Sequence, residues 1–395
     1  MTDPRYGWVI VAAGIAITLM GMGTTLALGV FVTPLEAAEG WSRTQVAVAT
    51  MFAFLSMGVA GFAWGALSDR WGTRVVVLAG GAIQGLGLVL AGQAETVLEL
   101  QLAFGVLGGI GAGAYMAPLT SSASRWFERN RGLAVALVTA GMGMGTLVTA
   151  PLATWLIAAH GWRMAFTVLG LLVWAVVLPV ALLLRAPPAV APAGTAGGGM
   201  TAGAALRSPA LLAVAFTYFC CCAAHSGPIF HMVGYAVDCG IAPMTAATLL
   251  GAQGLAGVAG RIGGGMVADR LGEKPTILMA LLLQAVAIAA YVVISAPTQF
   301  LVLGMVFGLS YGAVMPLYAV LVRNWFGPAV MGTAFGAVSM AATFGMAAGP
   351  VIGGWLRGLG GDYLWMYAAS AAIGLGALAI ATTFRAPARP ALTAA

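Results

Sequence analysis

Arg261 stands alone in the stretch GLAGVAGRIGGGMVADR at 254–270, among apolar and small residues until Asp269 and Arg270. A guanidinium presents a planar fork of donors that a carboxylate can accept through two parallel hydrogen bonds. It can equally cap backbone carbonyls or join an interior polar network. A second set of groups is His225 and His231, six residues apart in CCCAAHSGPIFHMVGYAVD at 220–238. An imidazole titrates near neutral pH and can carry a proton, or it can stay neutral on a backbone carbonyl. Gly227-Pro228 between them should bend their helix and suits a gate. The third set is phenolic: Tyr115 in GAGAYMAPL, and Tyr311 and Tyr318 in GLSYGAVMPLY. Each phenol can donate to an anion, or simply anchor packing.

These groups fit binding of a small organic acid better than bond-breaking chemistry. The histidines are His160, His225 and His231, and no HExxH pattern occurs. Cys220, Cys221, Cys222 and Cys239 match no metal spacing and read as small buried apolar residues. No metal and no cofactor is expected. GIGAG at 109–113 and GMGMG at 141–145 lie inside apolar runs, where glycines serve helix packing rather than phosphate binding. ATP-driven transport by this chain alone is excluded, because no Walker sequence or nucleotide domain is present.

The elements that carry these groups must lie in a bilayer. The 395 residues are 61% hydrophobic and 7% charged, against about 25% charged in soluble chains. The net charge of +6 comes from basic residues scattered singly, so no nucleic-acid face is expected. A membrane helix needs about 20 apolar residues, and twelve such segments are predicted: 7–33, 44–66, 73–93, 97–122, 132–158, 162–184, 209–236, 243–266, 274–295, 299–321, 330–355 and 363–384. The first reads as a span rather than a cleaved signal. The Pro/Ala/Gly stretch between the sixth and seventh reads as a linker. The expected organisation is therefore a bundle at 1–184, a cytoplasmic linker at 185–208 and a second bundle at 209–395.

Orientation follows from Lys and Arg near the span ends. A cytoplasmic N-terminus places Arg5, Arg70, Arg74, Arg125, Arg129, Arg131, Arg185, Arg207, Arg270, Lys274, Arg323, Arg385 and Arg389 inside. Arg43, Arg163 and Arg357 then fall outside. Both termini are expected in the cytoplasm. In this frame every carboxylate lies at or beyond a span end: Asp3, Asp69, Glu128, Asp269 and Glu273 inside, and Glu36, Glu39, Glu95, Glu99, Asp238 and Asp362 outside. Arg261 alone is left at mid-depth, about 12 Å from the cytoplasmic end at about 1.5 Å per residue. A buried arginine costs on the order of 2.5–3.5 kcal/mol to insert and marks a pathway. The expected counter-ion is the substrate.

The chain also repeats itself. GALSDRWGTR at 65–74 returns as GMVADRLGEK at 265–274, an offset of 200. The same offset takes Gly132 to Gly332 and Ala134 to Ala334, and the WF pair at 126–127 recurs at 325–326. Parallel halves with a site between them near the midplane form a recurrent transporter architecture. The fold expected is all-α and membrane-embedded, with two pseudo-symmetric six-helix bundles that rock to give alternating access.

The two copies resemble the signature between helices 2 and 3 of the major facilitator superfamily: a glycine, Asp-Arg, a glycine and a basic residue. The resemblance implies that Gly65, Asp69, Arg70 and Arg74, and Gly265, Asp269, Arg270 and Lys274, form conformational latches rather than substrate contacts. Thr73 and Glu273 stand where a further basic residue is common. Three stretches are similar to the monocarboxylate transporters and the bacterial oxalate/formate exchangers. Tyr6-Gly7-Trp8, with Asp3 nearby, is similar to the start of their helix 1. RWFERNRGLAVALVTAGMGMG at 125–145 resembles the approach to helix 5, and Arg261 has the place of the helix 8 arginine. Gly257 stands one turn before Arg261, where animal monocarboxylate transporters have an acidic residue, and segment 330–355 lacks the helix 11 basic residue of the oxalate exchanger. A single buried cation suits one carboxylate rather than two.

The resemblance implies a proton-linked secondary transporter of lactate- or pyruvate-like acids. Arg261, Tyr115, Tyr311 and His225 are the expected substrate residues, and His225 and His231 the candidate proton carriers. An anion exchanger, or an efflux carrier for another small anion or neutral compound, is the alternative. It further implies a cell membrane, a bacterial inner membrane in particular, and a monomer in the lipid bilayer. An enzyme would need a constellation this chain does not offer, and a receptor would need an output domain.

Overall fold

The computed structural model describes residues 5–186, 200–360 and 363–387. Asp3, Asp362, Arg389 and linker residues 187–199 lie outside the described residues. Twelve long helices account for nearly all the rest. They are α1 (Arg5–Glu39), α2 (Arg43–Trp71), α3 (Thr73–Ala91), α4 (Val97–Trp126), α5 (131–160), α6 (162–181), α7 (Pro209–Asp238), α8 (Pro243–Leu271), α9 (Glu273–Val293), α10 (Pro297–Phe326), α11 (Met331–Gly360) and α12 (Leu364–Thr382). The predicted segments coincide with these helices to within a few residues at most ends. Where they fall short, as at α1 and α2, the helix continues through polar residues beyond the apolar run.

Ten of the helical stretches are long and apolar enough to cross a membrane. One of them, Arg131–Ala181, is two helices joined at Gly161, whose φ of 81° breaks the helical path. The helix outside that set is α8, where Gln253, Arg261 and many glycines depress the hydropathy. Its 29-residue length still matches its neighbours. The chain is a multi-pass membrane protein, and its outer surface suits lipid: Trp71, Trp155, Trp355 and Trp365 are each more than 60% exposed.

The repeat extends into the backbone. Gly72 (φ 84°, ψ 154°) turns α2 into α3, and Gly272 (φ 90°, ψ 158°) turns α8 into α9 in the same conformation. An L side chain rarely adopts that φ, so glycine is required at both turns. Gly40 and Gly240, again 200 apart, end α1 and α7 with positive φ. Buried polar contacts repeat as well. Gln84 on α3 donates to the Gly21 carbonyl of α1 at 2.6 Å, and Gln284 on α9 donates to the Cys221 carbonyl of α7 at 3.4 Å. All four positions are related by the same offset.

Within each half, proline breaks the fourth helix. The helical bonds of α4 are interrupted at 113–115, ahead of Pro118, after a wide π-turn stretch at Gln101–Gly108. In α10 the interruption falls at 315–316, at Pro316 itself. A proline removes one N–H donor and crowds the preceding turn, so both breaks follow from sequence.

Candidate functional site

The halves meet along two helix pairs, α2 with α11 and α5 with α8. At the crossings glycine faces glycine. A Cβ on Gly265 would stand 2.6 Å from the Gly132 carbonyl oxygen, and one on Gly65 would stand 3.0 Å from the Gly332 carbonyl carbon. The backbones therefore touch, and each crossing is closed by a carboxylate. Asp69, at the end of α2, accepts from the amides of Gly332 and Thr333 at 2.9 and 2.7 Å and from the Thr333 hydroxyl at 2.9 Å. Asp269, at the end of α8, accepts from the amides of Gly132 and Leu133 at 2.8 and 3.1 Å. Each aspartate thus caps the first turn of a helix in the opposite half, where free N–H groups and the helix dipole favour negative charge. Arg131 donates to Asn324 at the same end of the molecule.

At the opposite end, ion pairs act within each half. Arg163 pairs with Glu39 at 2.5 Å, fastening α6 to α1, and Arg357 pairs with Asp238 at 3.1 Å, fastening α11 to α7. Of the signature residues, Asp69, Asp269, Gly65 and Gly265 therefore make the half-to-half contact themselves. Lys274 instead donates to the Thr382 and Phe384 carbonyls at the end of α12, holding the second half to itself.

Between the crossings lies a cavity of about 950 Å³, counting the part open to solvent. Its walls come from α1, α2, α4 and α5 of the first half and α7, α8, α10 and α11 of the second. Arg261 is its one charged lining residue, 4% exposed, with Nε buried and no hydrogen-bond partner among the described residues. The guanidinium lies beside α5 of the other half, where a Cβ on Gly143 would stand 3.2 Å from Nη1. The second glycine of GMGMG therefore makes room for the cation.

Behind Arg261 stands an aromatic stack. Its Cζ lies 5.9 Å from the centroid of Tyr311, within reach of the negative ring face. Tyr311 in turn stacks on His225, with centroids 5.3 Å apart and planes inclined by 20°. Both rings are buried, and neither lines the cavity. The Tyr311 hydroxyl reaches α8 one turn before Arg261, at Gly257: a Cβ there would stand 2.7 Å from it. Space that a side chain at 257 would take is filled by the phenol.

The other sequence candidates have different places. Tyr115 is fully buried and donates to Gln84 Oε1 at 2.6 Å inside the first half; its neighbours Gly113, Met116 and Ala117 line the cavity, and it does not. His231 donates through Nε2 to the Pro350 carbonyl at 3.0 Å. Tyr318 stacks on Tyr218 at 4.0 Å. It is Tyr218 that reaches the cavity, together with Cys222, Thr139, Ser339 and Thr343. Seven methionines complete the wall, among them Met57, Met142 and Met346. The sequence reading missed Tyr218, Ser339 and the methionines, and methionine repeats such as GMGMG were the available signal.

Comparison with known proteins fits this architecture. The Major Facilitator Superfamily model matches residues 13–300 and 214–394. The chain belongs to the major facilitator superfamily. It is 30% identical to monocarboxylate transporter 13 of Bos taurus over 377 residues, covering 91% of this chain and 85% of that one. It is also 30% identical to monocarboxylate transporter 11 of Homo sapiens over 375 residues, covering 91% and 79%. Among solved structures, it is similar to the superfamily transporter FucP in the outward conformation, with a TM-score of 0.76 and 14% identity over 96% of this chain and 100% of that one. The expected fold, membrane class and kinship with monocarboxylate transporters thus stand, and the chain is a transporter rather than an enzyme.

Proposed function

We propose that this transporter carries small organic monocarboxylates, linked to protons, by alternating access between its two halves. The observation that carries the reading is Arg261: a buried guanidinium on the cavity wall, between the halves, with an unsatisfied Nε. A carboxylate arriving there supplies both the missing counter-charge and the missing acceptor. Binding also gives the halves something to close around, because the lining comes from both.

In this reading 1–184 and 209–395 move as bodies joined by the 185–208 linker, in a cell membrane with both termini cytoplasmic. Asp69 and Asp269 then hold the cytoplasmic side shut, and the cavity faces outward. Releasing two carboxylate caps and parting the glycine contacts opens the other side. One chain carries the whole site, so a monomer suffices.

Moving a monovalent anion into a cell that is negative inside opposes about 2.3 kcal/mol per 100 mV. A co-transported proton cancels that charge. In this reading His225, stacked on Tyr311 behind Arg261, is the proton carrier; Tyr115 and His231 hold hydrogen bonds elsewhere. Exchange of anion for anion cancels the charge too, and the lack of a carboxylate lining residue keeps that reading in the test.

The test is uptake of radiolabelled pyruvate into proteoliposomes, with an inward proton gradient or with internal pyruvate. Acceleration by the gradient alone, lost in Arg261→Gln, is the expected result. Acceleration by internal anion alone would replace symport with exchange. Uptake undiminished in Arg261→Gln would remove the carboxylate site.

A further inference from the structure

We infer that the cavity selects carboxylates with a bulky apolar, preferably aromatic, body and a second hydrogen-bonding group, over acids the size of lactate. This rests on the assignment of Arg261 to the substrate carboxylate and narrows it.

The first observation is the wall itself. Seven of the chain's 20 methionines line one cavity, joined by Phe54, Phe335 and Leu26. Thioether side chains are flexible and polarisable, adapt to irregular shapes and make favourable contacts with aromatic rings. An acid of six heavy atoms bound at Arg261 can touch only part of a wall drawn from eight helices. A phenyl-bearing acid covers it and gains the hydrophobic contribution of that area.

The second observation is independent. Ser339, on α11, lines the same cavity, and its Oγ is buried without a hydrogen-bond partner. Buried hydroxyls in native structures are normally satisfied. Two orphaned polar groups, Arg261 Nε on α8 and Ser339 Oγ on α11, therefore share one apolar chamber. A ligand that satisfies both carries its carboxylate at one end and a hydroxyl or keto oxygen elsewhere. A plain fatty acid meets only the first requirement.

Five probes test this on the purified full-length chain in nanodiscs by titration calorimetry: pyruvate, phenylpyruvate, phenyllactate, 3-phenylpropionate and the neutral 3-phenylpropionamide. Phenylpyruvate is expected to bind at least about tenfold more tightly than pyruvate. Phenyllactate should bind about three- to tenfold more tightly than 3-phenylpropionate, a preference that Ser339→Ala abolishes. The amide should not bind, and Arg261→Gln should lose all the acids while remaining monodisperse. Pyruvate binding as tightly as phenylpyruvate overturns the inference and leaves the carboxylate site standing. A phenyllactate preference that survives Ser339→Ala overturns the second contact. The amide matching its acid, in both the native chain and Arg261→Gln, overturns the carboxylate reading, and binding of none of the five overturns both.

Discussion

The Tyr311 hydroxyl fills the space in which a side chain at Gly257 would begin, 2.7 Å from where its Cβ would stand. Gly257 precedes Arg261 by one helical turn, so this phenol packs directly beneath the cavity's cation. The absence of a side chain at 257 is thus part of the site, since it seats the ring against which Arg261 and His225 both rest.

Gly257→Ala should displace Tyr311 and with it the guanidinium. Overpacking of this kind costs about 1–3 kcal/mol, and substrate affinity should fall about tenfold or more. Adding Tyr311→Phe removes the clashing oxygen and should restore part of the lost binding. Calorimetry on the single and double variants checks the coupling; strictly additive losses would mean that the two residues act separately.

Removing the cation should separate function from stability. Arg261→Gln gives up a buried charge whose insertion costs on the order of 2.5–3.5 kcal/mol, so thermal stability without substrate should hold or rise. Transport should fall to background. A destabilised Arg261→Gln, measured by tryptophan fluorescence on heating, would assign the arginine a structural role instead.

The half-to-half caps predict a conformational effect. Asp69→Asn removes the charge at the α11 N-terminus, an interaction worth about 0.3–2 kcal/mol, and Thr333→Val removes one of its hydrogen bonds, about 0.5–1.5 kcal/mol. Both should shift the population toward the state open at the Asp69 end. Spin-label distances across that end should lengthen, more for Asp69→Asn than for Thr333→Val. Unchanged distances in both variants would reduce the cap to an ordinary loop contact.

Tyr115 makes the opposite prediction to Arg261. Tyr115→Phe leaves Gln84 Oε1 without its 2.6 Å donor, at a cost of about 1–3 kcal/mol for an unsatisfied buried group. The melting temperature should fall while KM stays unchanged. A raised KM with unaltered stability would place the phenol in the substrate path after all.

Helix number and placement were legible because bilayer thickness fixes the length of an apolar run, and the few charges mark its ends. Arg261 was legible because a lone guanidinium in such a run has few uses. Tyr115 and Tyr311 were assigned by depth, and depth does not say which way a residue faces. A tyrosine on the cavity side of α4 and one turned into the first half have the same sequence neighbours. The methionine wall escaped for a related reason: on a membrane helix an apolar residue facing lipid, core or cavity looks alike. Gln84 and Gln284 were a missed opportunity, since the offset of 200 relates them directly.

At the glycine pairs Gly65–Gly332 and Gly265–Gly132 the two halves meet backbone to backbone. Surfaces that mesh like gears must unmesh before they part, and each tooth adds to the barrier. If the halves rock as proposed, backbones in direct contact have little to unmesh, and they can tilt or lift apart once the aspartates let go. On the proposed mechanism the carboxylate caps at one end are the polar contacts that must break, so changes of charge there are expected to alter the turnover rate.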